Sequence, residues 1–165
     1  CAGKGTVGSN PTLSAIFEYL NLTLLMDELP LDKIDESWGI LLNAARQVRS
    51  VAYCPYSKFE VGASLLCGNG EIVTGANVEN AAFGSTICAE RSALVRANAM
   101  GFREFPRLVV SVRTESVAPC GSCRQMLHEF AAFSGVNMKI LLHGERDDHI
   151  RLTSIAELLP HGFKL

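Results

Sequence analysis

Cys88-Ala89-Glu90 and, thirty-two positions beyond that cysteine (120 − 88), Pro119-Cys120-Gly121-Ser122-Cys123 constrain this chain more than any other feature. For three thiols to serve one ion, the fold must carry two distant segments to a single point. Thiolates in this number suit Zn²⁺, which is four-coordinate in such sites. Three protein ligands leave one position open, the arrangement of a catalytic centre, whereas a fourth Cys or His would close it. Glu90 sets a carboxylate two residues from the first thiol. Water on zinc has its pKa lowered to about 7, and a nearby Glu can take that proton and pass it to a leaving group. A Cys-x-x-Cys pair by itself is also compatible with a redox or structural-zinc pair. Cys, Glu, Pro and two further Cys in register are far more specific.

The rest of the composition narrows the partners. A chain of 165 residues with 48% apolar content suits one domain with a real core. The net charge of −2 shows no basic excess, and no Lys/Arg stripe is present to neutralise phosphates, so a nucleic-acid substrate is disfavoured. The apolar run from 13 to 29 is interrupted by Glu18, Asn21, Asp27 and Glu28, so no membrane span is expected. It also lacks the charged start and small-residue exit of a secretory signal. Of six cysteines, the motifs absorb three. Cys1, Cys54 and Cys67 remain, and Cys67, at the end of an apolar strand, reads as a small buried hydrophobe. A reducing, cytoplasmic compartment fits best.

Residues 1–11 read as a flexible leader, and apolar residues at 13, 16, 17, 20 and 24 keep helical spacing. Pro30 interrupts that pattern. A helix is expected over about 37–52, with Trp38, Leu41, Ala45 and Val48 on one face. Strands at 60–67 and 71–78 flank the hairpin signal Gly68-Asn69-Gly70. A helix over 88–100 stops at Gly101, and 108–112 is a β-branched strand suited to a central position. A helix from 120 to about 133, a strand at 139–142 and a short helix at 154–159 complete the chain. Both cysteine motifs thus fall where helices begin, where partial positive charge and free N–H groups stabilise thiolates. Helices alternating with strands predict an α/β sandwich with a mixed sheet. The expected organisation is an N-terminal extension over 1–36, partly helical and without an assigned role, and a catalytic domain over 37–165.

Five blocks in order carry a resemblance from about Tyr53 to the C-terminus. They are Tyr56-Ser57-Lys58-Phe59-Glu60-Val61-Gly62-Ala63, Thr74-Gly75-Ala76-Asn77-Val78-Glu79-Asn80-Ala81, Ile87-Cys88-Ala89-Glu90-Arg91-Ser92-Ala93, Pro119-Cys120-Gly121-Ser122-Cys123-Arg124-Gln125, and Glu157-Leu158-Leu159-Pro160-His161-Gly162-Phe163. Together they resemble the cytidine deaminases of the small, three-cysteine zinc type. The two cysteine motifs match the known signature of zinc-dependent deaminases. The resemblance implies a three-layer sandwich whose central mixed sheet of about five strands is flanked by helices. It implies Zn²⁺ on Cys88, Cys120 and Cys123, and Glu90 as the proton carrier for hydrolysis at C4 of a cytosine ring. For the substrate it implies contacts from Phe59 edge-on to the base, from Asn77 and Glu79 to the ribose hydroxyls, and from Ala89. Phe163 would reach a neighbouring subunit's pocket, and a homotetramer with shared active sites is implied. Phe83 stands where many relatives carry Tyr, a departure that removes a hydroxyl.

Asn77 and Glu79 alternate along one strand end and can face the same side. An amide and a carboxylate there suit two hydroxyls, and the carboxylate argues against a phosphate, favouring nucleosides over nucleotides. Three thiolates on Zn²⁺ carry a net charge of −1, which would blunt the metal's effect on bound water. Arg91 follows Glu90 and Arg124 follows Cys123, and at least one is expected to donate to the sulfurs. The resemblance favours Arg91; an ordinary surface charge is the plain alternative for Arg124. The histidines at 128, 143, 149 and 161 have no specific expected role, since a fourth protein ligand would displace the catalytic water. The expected activity is deamination of cytidine and 2′-deoxycytidine in pyrimidine salvage. A deaminase of cytosine-nucleoside antibiotics is disfavoured by Asn77-Val78-Glu79-Asn80, which such relatives lack. Polynucleotide deaminases generally open the first motif with His and carry basic surfaces. An inactive zinc-binding relative serving as a partner subunit is the alternative from another class.

Overall fold

In a computed structural model the described residues are 27–145 and 150–164. The expected leader, the helix from Leu13, Cys1 and His149 lie outside them. Six strands, β1 (Asp27–Leu29), β2 (Val61–Leu66), β3 (Ile72–Ala76), β4 (Arg107–Val112), β5 (Lys139–His143) and β6 (Ile150–Ser154), form one sheet in the order β1-β6-β5-β4-β2-β3. Four helices accompany them, α1 (Glu36–Arg49), α2 (Ala89–Ala99), α3 (Gly121–Ser134) and α4 (Ile155–Leu158). Only β4 and β5 run parallel, joined by α3, while the other neighbours are antiparallel, so the sheet is mixed. Five strands come from 37–165, as expected. The sixth, β1, comes from the segment read as an extension and is hydrogen-bonded to β6 at the sheet edge.

Strand alternation divides the core in two. Val109 and Leu141 turn to one face, where α1 covers them with Trp38, Leu41, Leu42 and Ala45. Leu108, Val110, Val112, Ile140 and Leu142 turn to the other, packing with Ala93, Leu94 and Ala97 of α2, Leu127 of α3 and Ile155 and Leu158 of α4. The result is the expected three-layer sandwich. Each fully buried Leu adds roughly 1.5–3 kcal/mol of transfer free energy. Of the expected inward face Trp38, Leu41 and Ala45 are buried and Val48 is half-buried, and Leu42 is buried with them. Asp35 caps α1, its side chain accepting from Trp38 N at 3.2 Å, and Gly101, at φ 96°, ends α2 in a left-handed conformation that L side chains avoid. Cys67 is 1% exposed, and burial pushes its thiol up to about 11. The sequence pattern places four of the five strands within 37–165, and β6 is the fifth.

Two glycines set the helix-to-sheet distance. A Cβ on Gly62 would lie 2.1 Å from Ala45 O in α1, and one on Gly75 would lie 2.3 Å from Ala93 N and 2.7 Å from Ala89 O in α2. Their absence of side chain lets both helices dock directly on β2 and β3.

Ser111 and His143 share the α1 face with Val109 and Leu141. Arg46 Nη2 lies 2.9 Å from His143 Nε2, and a guanidinium can only donate. Nε2 is therefore the acceptor, and Nδ1–H donates to Ser111 Oγ at 3.1 Å, which also accepts from Arg49 Nη1 at 3.0 Å. The imidazole is held neutral, its pKa lowered to about 4 first by burial and then by Arg46 and Arg49. The folded pKa lies below the unfolded value of about 6.5. Stability from this group is thus complete above pH 6.5 and lost as pH falls toward 4, by up to about 3 kcal/mol. His143→Gln is expected to flatten the fall in Tm over that window, and an unchanged pH profile would reject the assignment.

Candidate metal centre

Both motifs open helices at the same end of the sheet. Cys88 is the N-cap of α2 and Cys120 the N-cap of α3, and their carbonyls accept the first helical bonds from Ser92 N at 3.0 Å and Arg124 N at 2.9 Å. The cap side chains are left to point at one another. One turn into α3, Cys123 adds the third thiol. Cys88 Sγ lies 3.9 Å from Cys120 Sγ, which lies 3.5 Å from Cys123 Sγ, and all three sulfurs fall within 4.8 Å of one another. Tetrahedral zinc with Zn–S bonds of about 2.3 Å needs sulfurs about 3.8 Å apart. The donor set therefore fits zinc in chemistry and spacing. It is the one His/Cys/Asp/Glu cluster of this kind among the described residues.

The electrostatics are those of a thiolate site. Cys88 is lowered to about 5, first by a hydrogen bond from Cys123 and further by Arg91, while Cys123 holds its proton more tightly, through that same bond and burial. Arg91 Nη2 donates to Thr86 O at 2.8 Å and lies 3.8 Å from Cys88 Sγ. Arg124 is turned elsewhere: its Nε donates to Pro119 O at 2.6 Å and its Nη1 to Leu158 O at 3.3 Å. It is neither a donor to the sulfurs nor a free surface charge, but a brace between the start of α3 and the end of α4.

Glu90, in the first turn of α2, is 5% exposed. Burial raises its carboxyl above the usual range; a backbone hydrogen bond opposes this, the nearby Cys88 thiolate adds to it, and Cys123 and Arg91 oppose it more weakly. A carboxyl raised above its ordinary range beside a thiol cluster is suited to taking a proton and giving it back. Ala89 beside it is fully buried.

Three of the residues expected to meet a substrate, Phe59, Asn77 and Glu79, lie around the start of β2 and the end of β3. Asn77 is 7% exposed; its Oδ1 accepts from Val61 N at 2.8 Å and its Nδ2 donates to Phe59 O at 2.9 Å. Glu79 accepts from Tyr56 N at 2.9 Å, from Ser57 N at 3.2 Å and from the Ser57 hydroxyl. The pair thus grips the 56–61 segment by its backbone, a task the sequence did not signal. Phe59 packs on the larger core cluster. Phe83 is 79% exposed and meets Tyr56 edge-on at 6.4 Å. Phe163 is 68% exposed, and its carbonyl accepts from Gln125 Nε2 at 2.8 Å, which ties the C-terminal segment to α3. His128 lies under Gly162, where an added Cβ would come within 2.6 Å of the ring.

Residues 38–138 match the family model described as the cytidine and deoxycytidylate deaminase zinc-binding region. The chain belongs to this family. Among its relatives, the cytidine deaminase of Sporosarcina psychrophila is 44% identical over 124 residues, covering 74% of this chain and 88% of its own. That of Halalkalibacterium halodurans is 42% identical over 125 residues, covering 75% and 92%. The crystal structure of cytidine deaminase from Burkholderia pseudomallei superposes with a TM-score of 0.71 at 40% identity, covering 79% of this chain and all of that one. The chain is accordingly a zinc-dependent hydrolytic deaminase. No helix among the described residues is long and apolar enough to cross a membrane.

Proposed function

We propose that the protein deaminates cytidine and 2′-deoxycytidine to uridine and 2′-deoxyuridine, serving pyrimidine salvage in the cytoplasm. The observation that carries this reading is the buried Glu90 carboxyl beside three converging thiols, on a chain whose relatives are cytidine deaminases. Cys88, Cys120 and Cys123 hold the zinc, which when bound supplies Lewis-acid activation of a water. Glu90 takes a proton from the attacking water and delivers it to N3 as the water oxygen bonds to C4. It then takes the remaining proton of that C4 hydroxyl and passes it to the amino group, which leaves as ammonia as the C4–N bond breaks and C4=O forms. Arg91 offsets thiolate charge through Cys88 Sγ. Phe59 and Ala89 contact the base, and Asn77 and Glu79 the sugar hydroxyls. The exposed Phe163 supports a homotetramer in which each site takes this ring from a neighbour. The catalytic domain occupies 37–165, with 1–36 as an N-terminal extension.

Loss of ultraviolet absorbance across cytidine, 2′-deoxycytidine, cytosine, dCMP and blasticidin, with zinc quantified in the same preparation, tests the reading. Turnover confined to the first two is expected, and zinc-loaded protein inert toward both would overturn it. Arg91→Gln is expected to lower kcat about tenfold or more with a small change in Tm. An unaltered kcat would remove Arg91 from the reaction.

A further inference from the structure

The Glu79 carboxylate is not simply presented to solvent. Its Oε2 accepts two backbone N–H groups, Tyr56 at 2.9 Å and Ser57 at 3.2 Å, and its Oε1 accepts the Ser57 hydroxyl. A carboxylate has about four lone-pair sites, so three are committed and the free direction lies on Oε1. Ser57 decides which direction that is. The serine hydroxyl is itself fixed, because Phe59 N donates to Ser57 Oγ at 3.0 Å. Lys58 between them takes φ 58°, a left-handed conformation rare for a side chain of this kind, which folds 57–59 into the tight turn that makes this bond. A continuous chain results: Phe59 N–H to Ser57 O–H to Glu79 Oε1. Asn77 closes the other side by donating to Phe59 O. The residue proposed to meet the base and the residue proposed to meet the sugar are therefore joined through one hydroxyl.

We propose that Ser57 is a positioning residue that aims the open lone pair of Glu79 at the sugar hydroxyls and locks that aim to the backbone of Phe59. The inference rests on the proposed nucleoside reading of Glu79. Ser57 touches no reacting atom; it acts by restricting the carboxylate to one rotation, so that the hydrogen bond to a sugar hydroxyl forms without further ordering. Its removal leaves Glu79 held by two N–H groups but free to swivel about them.

The test compares Ser57→Ala and Ser57→Thr with the unaltered, zinc-loaded protein on cytidine and on 2′,3′-dideoxycytidine, which lacks both ring hydroxyls. Ser57→Ala is expected to lower kcat/KM for cytidine about tenfold, chiefly through KM. On the dideoxynucleoside the same variant is expected to stay within about twofold. Ser57→Thr, which keeps the hydroxyl, is expected to restore the cytidine value. An equal loss on both substrates would overturn the proposal by showing that Ser57 serves only the fold of the loop, and no loss on either would overturn it outright. Glu79→Gln separates the underlying reading: if it leaves kcat/KM for cytidine unaltered, Glu79 itself does not meet the sugar, whatever the Ser57 variants do.

Discussion

Glu90→Gln is expected to lower kcat for cytidine by roughly 10³–10⁴-fold, the upper part of the range for a general acid–base group, while zinc content stays at one per chain and Tm moves little. The size of the loss follows from the double use of this carboxyl. In the proposed reaction it accepts protons from the water and passes them to the ring and the amine, and an amide can do neither. The small change in Tm follows from the environment. Glu90 is almost fully buried and burial favours its neutral form, so a neutral isostere of equal size leaves neither a cavity nor an uncompensated charge. Zinc by atomic absorption, steady-state kinetics and thermal unfolding on one preparation check the three parts together. A zinc-loaded variant that keeps a tenth of normal turnover would remove Glu90 as the proton carrier.

Gly75→Ala is expected to cost about 3 kcal/mol of stability and to lower zinc affinity with it. The added methyl would sit 2.3 Å from Ala93 N and 2.7 Å from Ala89 O. Both are backbone atoms of α2, so no side chain can swing aside, and the helix must lift from β3. That helix begins with the Cys88 cap and carries Glu90, so the displacement reaches the thiol cluster. For a domain of this size the fall in Tm is about 6–12 °C. Gly39→Ala supplies the contrast. It lies within α1, and a Cβ there meets nothing within 4 Å, so helix propensity alone predicts a gain of up to about 1 kcal/mol. A Gly75→Ala protein as stable as the parent, with full zinc, would show that α2 is not docked as closely as described.

The starts of α2 and α3 were legible because two requirements coincide there: the cysteine motifs must be preorganised, and a helix N-terminus is what preorganises a thiolate. Strand β4 was legible from its β-branched run. Strand β6, Ile150–Ser154, alternates in sequence, but its last residue reads as the N-cap of α4, which its side chain is, so the segment merges with the helix start. Strand β1 sits at the end of a run with helical spacing, and only pairing with β6 makes Asp27–Leu29 extended, a tertiary effect that local pattern does not carry. Within the site, the thiols and Glu90 announce themselves by chemistry at fixed spacing. Ser57 does not, since its partner is twenty-two positions away and any serine in a turn would look the same. The fate of Arg124 was likewise set by the position of α4, a segment thirty-four residues further on.

The thiols at 88 and 120 bracket thirty-two positions of chain (120 − 88), and within that span lie α2 and all of β4, the strand at the middle of the sheet. A metal joining the two ends therefore acts as a staple around the central strand. By loop-closure arguments used for covalent cross-links, a closed loop of this length removes on the order of 3–4 kcal/mol of freedom from the unfolded chain. The ion that the reaction requires is then also a clamp on the fold, and stripping it would cost the protein stability as well as activity.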